Sequence, residues 1–319
     1  MTGKAHLRTL FFLSVFLMTV YGLFIAASGY GESMDDVPLE PPGKAQYTVY
    51  GVEVPSEATF AGEPVPLDLF DVREALDREL LSNSYFHSQT IRLIKLSHRF
   101  FPLIEPILAK YEIPDDFKYL AVAESGLEQV VSPAKAVGFW QLMKGTATDY
   151  GLRVNEEIDE RYHIEKSTDV ACRYILESYE KYGNWTMTAA SYNAGRRGVD
   201  RQIERQKIEN YYDLMLNDET QRYLFRIIAF KLIFEDPDKY GITLSEKAYY
   251  KPVPYTDVEV KGAVADFADF AREHDTNYKI LKYLNPWLRD NKLTNSAGYT
   301  YIIKVPEPEF RRADAWISE

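Results

Sequence analysis

A single cysteine, Cys172, occurs in the 319 residues, so no disulfide can form within the chain. Its setting, Ala171-Cys172-Arg173 inside a helical run, predicts a small buried residue. Histidine is nearly as scarce. Five are scattered, with no HExxH and no Cys/His cluster, which leaves a zinc site or any other metal centre without support. Positive charge is in deficit too. Lys and Arg total 37 against 48 Asp and Glu, for a net charge of −11, and Lys4 and Arg8 belong to a leading segment that carries no acid. No basic patch remains to track a phosphate backbone, which argues against nucleic acid as a partner. Low-complexity tracts and internal repeats are missing from the body of the chain.

What is abundant is apolar and aromatic. Hydrophobic residues make up 46% of the chain, enough for a sizeable core. There are 24 Tyr, 17 Phe and 4 Trp. Such rings can stack on sugars, but their ordinary use is packing. At the N-terminus Lys4, His6 and Arg8 precede the apolar run LFFLSVFLMTVYGLFIAAS, residues 10–28. A basic start, an apolar stretch and small residues at Ala26 and Ser28 predict a signal peptide cleaved before Gly29. The run also approaches the length of a membrane span, so retention as an anchor is the alternative. With no cysteine nearby, a lipoprotein anchor is excluded. Either way the body is expected to be exported to the periplasm or cell envelope, touching the membrane only through this segment if it is uncleaved.

Residues 29–65 are rich in Pro, Gly and acids and read as a linker or irregular lead-in, with a short strand at QYTVYGVEV. From 66 to 241 the spacing is helical, and Pro102 and Pro106 mark a break or a new start. Helices are expected over 114–126, 143–150, 167–182, 185–194 and 218–234, with a stop and turn at DPDKYG. Ser167 is the expected N-cap of the third of these. After Gly241 the texture changes to a small βααβ unit over 255–306, within 242–319. The fold class expected is mainly α, a helical domain followed by this unit.

One position breaks the pattern. In IPDDFKYLAVAESGL the apolar residues Ile113, Phe117, Leu120 and Ala121 form one stripe, and the next position on it is Glu124. A carboxylate there is either a paired structural acid or a functional one. Three further stretches bear on the choice. In SPAKAVGFWQLMKGTATDYGL, Gly138 permits close approach of a ligand to the backbone, and Trp140 and Met143, on either side of Gln141, could line a groove. The bland reading is a loop leading to a helix capped at Thr146 or Lys144. DERYHIEKST reads as an ion-pair network and a cap. AASYNAGRRGV runs from a helix end into a Gly-rich turn that projects Tyr192 and Asn193, although YNAG alone could be a helix stop.

In this order and at these spacings the stretches resemble the family 1 lytic transglycosylases, whose catalytic fold is similar to goose-type lysozyme. The matched pattern is ES…S-x-A-x-A-x-G-[LF]-[MW]-Q-L-M…YNAG, over about residues 90–241. Trp140, GL at 151–152, DER at 159–161, ST at 167–168, NW at 184–185 and ET…Y at 219–223 look most like the membrane-bound D branch. The C-terminal unit is similar to a LysM peptidoglycan-binding module, including Leu284-Asn285-Pro286, with Gly262-Ala263-Val264 replacing a usual glycine-aspartate turn. Lys135 stands where glycine is usual, Phe139 where leucine is more common, and Ser191 where alanine precedes YNAG.

The resemblance implies that Glu124 is catalytic, acting as acid and then base on peptidoglycan glycan strands. It implies cleavage between N-acetylmuramic acid and N-acetylglucosamine with a 1,6-anhydro product and no cofactor. Ser125, Gln141, Tyr192 and Asn193 would hold substrate groups, with Tyr192 near the developing charge or bonded to Glu124. Phe139, Trp140 and Met143 would form an apolar floor. Most glycosidases use two carboxylates; Glu128, one turn on, is expected to lie along the surface. The alternatives are a hydrolytic lysozyme of the same fold and a non-catalytic peptidoglycan-binding protein. A C-terminal unit that packs on the helical domain without binding glycan is also open.

Overall fold

A computed structural model describes residues 51–312. The leading apolar segment and residues 46–50 of the expected first strand lie outside them. Among the described residues no helix is long and apolar enough to cross a membrane. Over the described residues the fold is mainly helical, with two small antiparallel sheets.

The stretch read as a lead-in packs on the core from Val52 onward and enters it at Phe60. Two-residue strands, β1 (Thr59–Phe60) and β2 (Glu63–Pro64), pair antiparallel. Ala61 N donates to Asp116 Oδ2 at 2.6 Å, and Phe60 is fully buried against Phe117, ring centroids 5.2 Å apart. The Pro/Gly-rich composition hid this because a hairpin this short carries no alternation to detect.

Helix α1 (Phe70–Tyr85) turns at Phe86 into α2 (His87–Lys110). Helix α2 runs unbroken through Pro102 and Pro106, against the break expected there. Both prolines are exposed and four apart, on the solvent face. The carbonyls they leave unpaired, on His98 and Pro102, belong to exposed residues that water can reach. On the opposite face Phe101, Ile104 and Leu108 are buried and hold the helix together.

A short 3-10 turn (Asp115–Phe117) leads into α3 (Lys118–Ser125). Helix α4 (Lys144–Asp149) begins after Met143, which occupies the cap position expected at Thr146 or Lys144. Helix α5 (Ile164–Tyr182) starts three residues before the expected Ser167 cap. Ser167 instead lies inside it, its hydroxyl donating to Ile164 O at 3.1 Å. Helix α6 (Trp185–Ala194) is capped by Asn184, whose side chain accepts from Met187 N. Gly195, at φ 72°, breaks the chain for one residue only, and α7 (Arg196–Gln206) resumes where a Gly-rich turn was expected. Helix α8 (Asp218–Glu235) is central, with α1, α3 and α6 packed on it. Its Leu224, Ile227, Ile228 and Ile233 are sealed from solvent, each contributing roughly 1.5–3 kcal/mol by burial.

After Gly241 come β3 (Tyr255–Val260), α9 (Phe267–Glu273), α10 (Tyr278–Leu284) and β4 (Tyr301–Pro306). The strands pair antiparallel, from Tyr255 with Pro306 to Val260 with Tyr301. This βααβ unit shares its apolar core with Val137, Ile158 and Tyr162 of the preceding domain. Asp159 N donates to Trp287 O at 2.9 Å, Arg289 N to Glu157 O at 2.8 Å, and Lys304 pairs with Glu165.

Candidate active site

Helix α3 ends at Gly126, which takes the left-handed conformation (φ 64°) and donates its N–H to Val122 O. Glu124 therefore sits in the last turn, where the negative end of the peptide dipoles disfavours a second negative charge. The apolar stripe that predicted its position exists: Phe117, Leu120 and Ala121 are fully buried. Its partner comes from α8. The Tyr223 hydroxyl donates to Glu124 Oε1 at 2.6 Å. Burial raises the Glu124 carboxyl to about 7 and the Glu219 charge adds to this, while the Tyr223 hydrogen bond and Arg226 oppose it. The acid is thus close to half-protonated at neutral pH, the condition that suits a group asked to give and then take a proton.

Tyr192, in the last turn of α6, is close enough to Glu124 that the carboxylate charge raises its own phenol well above the ordinary value, after burial. Its hydroxyl donates to Trp140 O at 2.8 Å, so the bond to Glu124 belongs to Tyr223. This contact ties the loop carrying Gln141 to the end of α6. Asn193 accepts at Oδ1 from Thr220 Oγ1 at 2.8 Å. Its amide reaches Glu219 Oε1 at 3.5 Å.

The loop 132–143 is held from beneath. Arg161 donates to Lys135 O and Leu142 O and forms an ion pair with Asp159 at 2.7 Å. Gly138, at φ 79°, approaches the Arg161 carbonyl so closely that a Cβ would lie 2.4 Å from its oxygen. The close approach expected toward a ligand is made toward the chain itself. Lys135 has φ 66°, the left-handed region that explains why glycine suits that position. Gln141 is also left-handed (φ 45°), and its amide donates to Gly138 O at 2.8 Å and Val130 O at 3.2 Å. The ion-pair network read in DERYHIEKST is present: Glu160, buried, pairs with Arg153 and Lys166.

The three residues expected to floor a groove divide. Met143 is 47% exposed. Trp140 is fully buried, its indole donating to Thr168 Oγ1 at 2.8 Å, and Phe139 is buried edge-on against Phe100. Large rings on a helix-to-loop crossing serve the core first. Ser125 donates to Ala121 O within its own helix, and Glu128 pairs with Arg92 at 2.6 Å. An apolar cavity of about 540 Å³ between α2 and the βααβ unit, lined by Leu96, Phe100, Leu127 and Trp287, excludes Glu124. Among the described residues no group of three or more His, Cys, Asp or Glu is placed to hold a metal.

Sequence reasoning singled out neither Tyr223 nor Glu219 nor Arg226 as a site residue. They share one stripe of α8, at spacings of four and three, facing Glu124. The signal was the ET…Y spacing at 219–223, absorbed into a helix that is otherwise plainly core.

Residues 103–215, which span Glu124, the Gln141 loop and Tyr192-Asn193, match the transglycosylase SLT domain. The chain carries a transglycosylase SLT domain. Residues 256–309 match the soluble lytic transglycosylase C-terminal LysM-like domain. Two curated proteins are similar over a longer stretch than either domain match. Membrane-bound lytic murein transglycosylase D of Escherichia coli K12 is 28% identical over 242 residues, 74% of this chain and 52% of that protein. Its counterpart from Escherichia coli O6:H1 gives the same figures. The chain thus spans about half the length of the curated relatives it matches. The crystal structure of the 70 kDa soluble lytic transglycosylase of Escherichia coli aligns at 20% identity, over 48% of this chain and 27% of that one, with a TM-score of 0.38.

Proposed function

We propose that the chain is a lytic transglycosylase of peptidoglycan that uses Glu124 as its single catalytic carboxylate. The observation carrying this is a Glu124 carboxyl raised to about 7 and oriented by Tyr223 inside the matched SLT domain. Protonated Glu124 donates to the oxygen linking N-acetylmuramic acid to N-acetylglucosamine. As the C1–O bond breaks, positive charge spreads over C1 and the ring oxygen of the muramoyl sugar, and the carboxylate left behind stabilises it. Glu124 then removes the proton from the C6 hydroxyl of the same sugar, O6 closes on C1, and a 1,6-anhydro ring forms. The acid is regenerated and no water is consumed. Because the nucleophile belongs to the substrate, the closure is unimolecular, and its effective molarity replaces a second carboxylate.

In this reading Asn193 and Gln141 bind N-acetyl or hydroxyl groups, exchanging their internal hydrogen bonds for the sugar. Ser125 lies beside the acid, and Tyr192 flanks the charge that develops. Met143 is the floor residue with an accessible side chain. The substrate places the catalytic domain outside the cytoplasm, consistent with the basic and apolar N-terminal segment.

The test is digestion of purified sacculi with the full chain, followed by mass analysis of the released muropeptides. The expected product ends are one water lighter than hydrolysed ends, and Glu124→Gln abolishes release. Ends carrying the added water would mean a hydrolase. Sacculus binding with no release by the wild-type chain would mean a binding protein.

A further inference from the structure

One buried carboxylate takes no part in the scheme above. Glu79, on α1, is 1% exposed and lies against α8. Its Oε1 accepts from Arg222 Nε at 2.6 Å, and its Oε2 lies 3.6 Å from Arg226 Nε. Arg222 and Arg226 flank Tyr223, the residue that bonds to Glu124. The same Arg226 is the cation that bears on Glu124. One carboxylate on a neighbouring helix therefore holds both ends of the α8 turn that touches the acid. We propose that Glu79 is a positioning residue: its carboxylate holds Arg222 and Arg226, sets the register of Tyr223 against Glu124, and keeps the Arg226 charge engaged away from the acid.

The need for such a device follows from charge. An arginine free beside a carboxylic acid favours the carboxylate, and a carboxylate cannot protonate a glycosidic oxygen. Shared between the two arginines, the Glu79 charge offsets part of the Arg226 charge felt by the acid and still anchors the helix. The carboxylate end is sealed from water while the Arg222 and Arg226 side chains keep 28% and 30% of their surface exposed, so solvent weakens the pairing less than it would a fully exposed ion pair. Removing the arginines would leave the Glu79 charge uncompensated in the interior, whereas removing Glu79 frees two partly exposed arginines. The ionisable groups facing Glu124 are Tyr223, Glu219 and Arg226 from α8 and Tyr192 from α6. On α2, Arg92 is occupied by Glu128. Glu79 is faced by Arg222 and Arg226, and by the Tyr211 hydroxyl, which donates to the Thr220 and Gln221 carbonyls.

The inference rests on the catalytic reading of Glu124, and its test separates the two. In the full chain, the Glu124 carboxyl is titrated by carbon-13 NMR, and the rate of anhydro-product release from sacculi is followed against pH. Glu79→Gln is expected to lower the Glu124 titration midpoint and the alkaline limb of the rate together, by roughly 0.5–1 pH unit. Arg226→Gln moves both the other way, and the double variant returns them close to wild type. A Glu79→Gln chain with an unmoved midpoint, or one that loses activity equally at every pH, overturns the proposal. Should Glu79→Gln fail to fold, the upward shift in Arg226→Gln carries the test, and its absence is equally fatal. Wild-type protein that releases no anhydro product refutes the catalytic reading instead, and the NMR midpoints still decide the role of Glu79.

Discussion

The Tyr223 hydroxyl reaches Glu124 Oε1 at 2.6 Å across 99 residues of sequence, joining the short helix that ends at Gly126 to the central helix of the domain. The acid is thus held from the most deeply packed element in the fold, where displacement is resisted on every side.

Tyr223→Phe keeps the ring and deletes the bond. A hydrogen bond to a charged group contributes roughly 1.5–3 kcal/mol, part of which water recovers. The bond favours the carboxylate, so its loss raises the Glu124 pKa further and moves the alkaline limb of the pH–rate profile upward. At the optimum, looser positioning lowers kcat by about tenfold, a change of about 1.4 kcal/mol. A pH series of kcat on glycan strands checks both. A limb that moves downward contradicts the assignment.

Glu124→Gln is expected to stabilise the fold at alkaline pH. The carboxyl is raised from its ordinary value to about 7, so the ionised form is worse tolerated in the native state than in the unfolded chain. The native state keeps its full advantage below about pH 4.5 and loses it as pH rises through 7. The variant escapes that loss, by at most about 3 kcal/mol. Thermal melts should coincide near pH 4, and the variant should melt higher at pH 8. Equal melting temperatures at pH 8 would mean that the acid is better solvated than its surroundings imply.

Gly138→Ala tests the loop beneath Gln141. The added methyl would sit 2.4 Å from the Arg161 carbonyl oxygen, at a φ of 79° that alanine resists. Strain and backbone displacement together should cost roughly 2–4 kcal/mol, visible as a lower Tm. Because Arg161 also holds Lys135 O and Leu142 O, glycan affinity should fall with stability. A neutral substitution would show that the loop yields freely.

What the sequence disclosed, and what it hid, follows from periodicity. The apolar stripe through Phe117, Leu120 and Ala121 placed Glu124 correctly, because a helix face is written in spacings of three and four. The βααβ order and the outer limits of the unit, at Tyr255 and Pro306, were equally legible. Helix α7 was missed because Gly195 and Gly198 look like a turn, when one left-handed residue is enough to redirect a chain that then resumes its helix. Pro102 and Pro106 misled because local propensity says nothing of which face of a helix meets water. The depth of Trp140 and Phe139 was invisible for the opposite reason: an aromatic in a loop motif looks available until packing assigns it to the interior. Tyr223, Glu219 and Arg226 lay within a run of core residues, and only the partner across the interface gives them meaning.

Trp287 and Tyr301 stack at 5.7 Å, with the Arg153 guanidinium over the Tyr301 ring. Beneath them Val137, Ile158 and Tyr162 share one apolar cluster with the terminal segment. Stopping translation at Gly241 would therefore not subtract a detachable appendage. It would unroof a greasy surface beside the Gln141 loop, and the shortened chain should clump or breathe there. Any comparison of wall affinity between long and short forms would then report damage to the remainder as much as loss of the missing piece, so single substitutions on the outward face of the terminal segment are the cleaner probe.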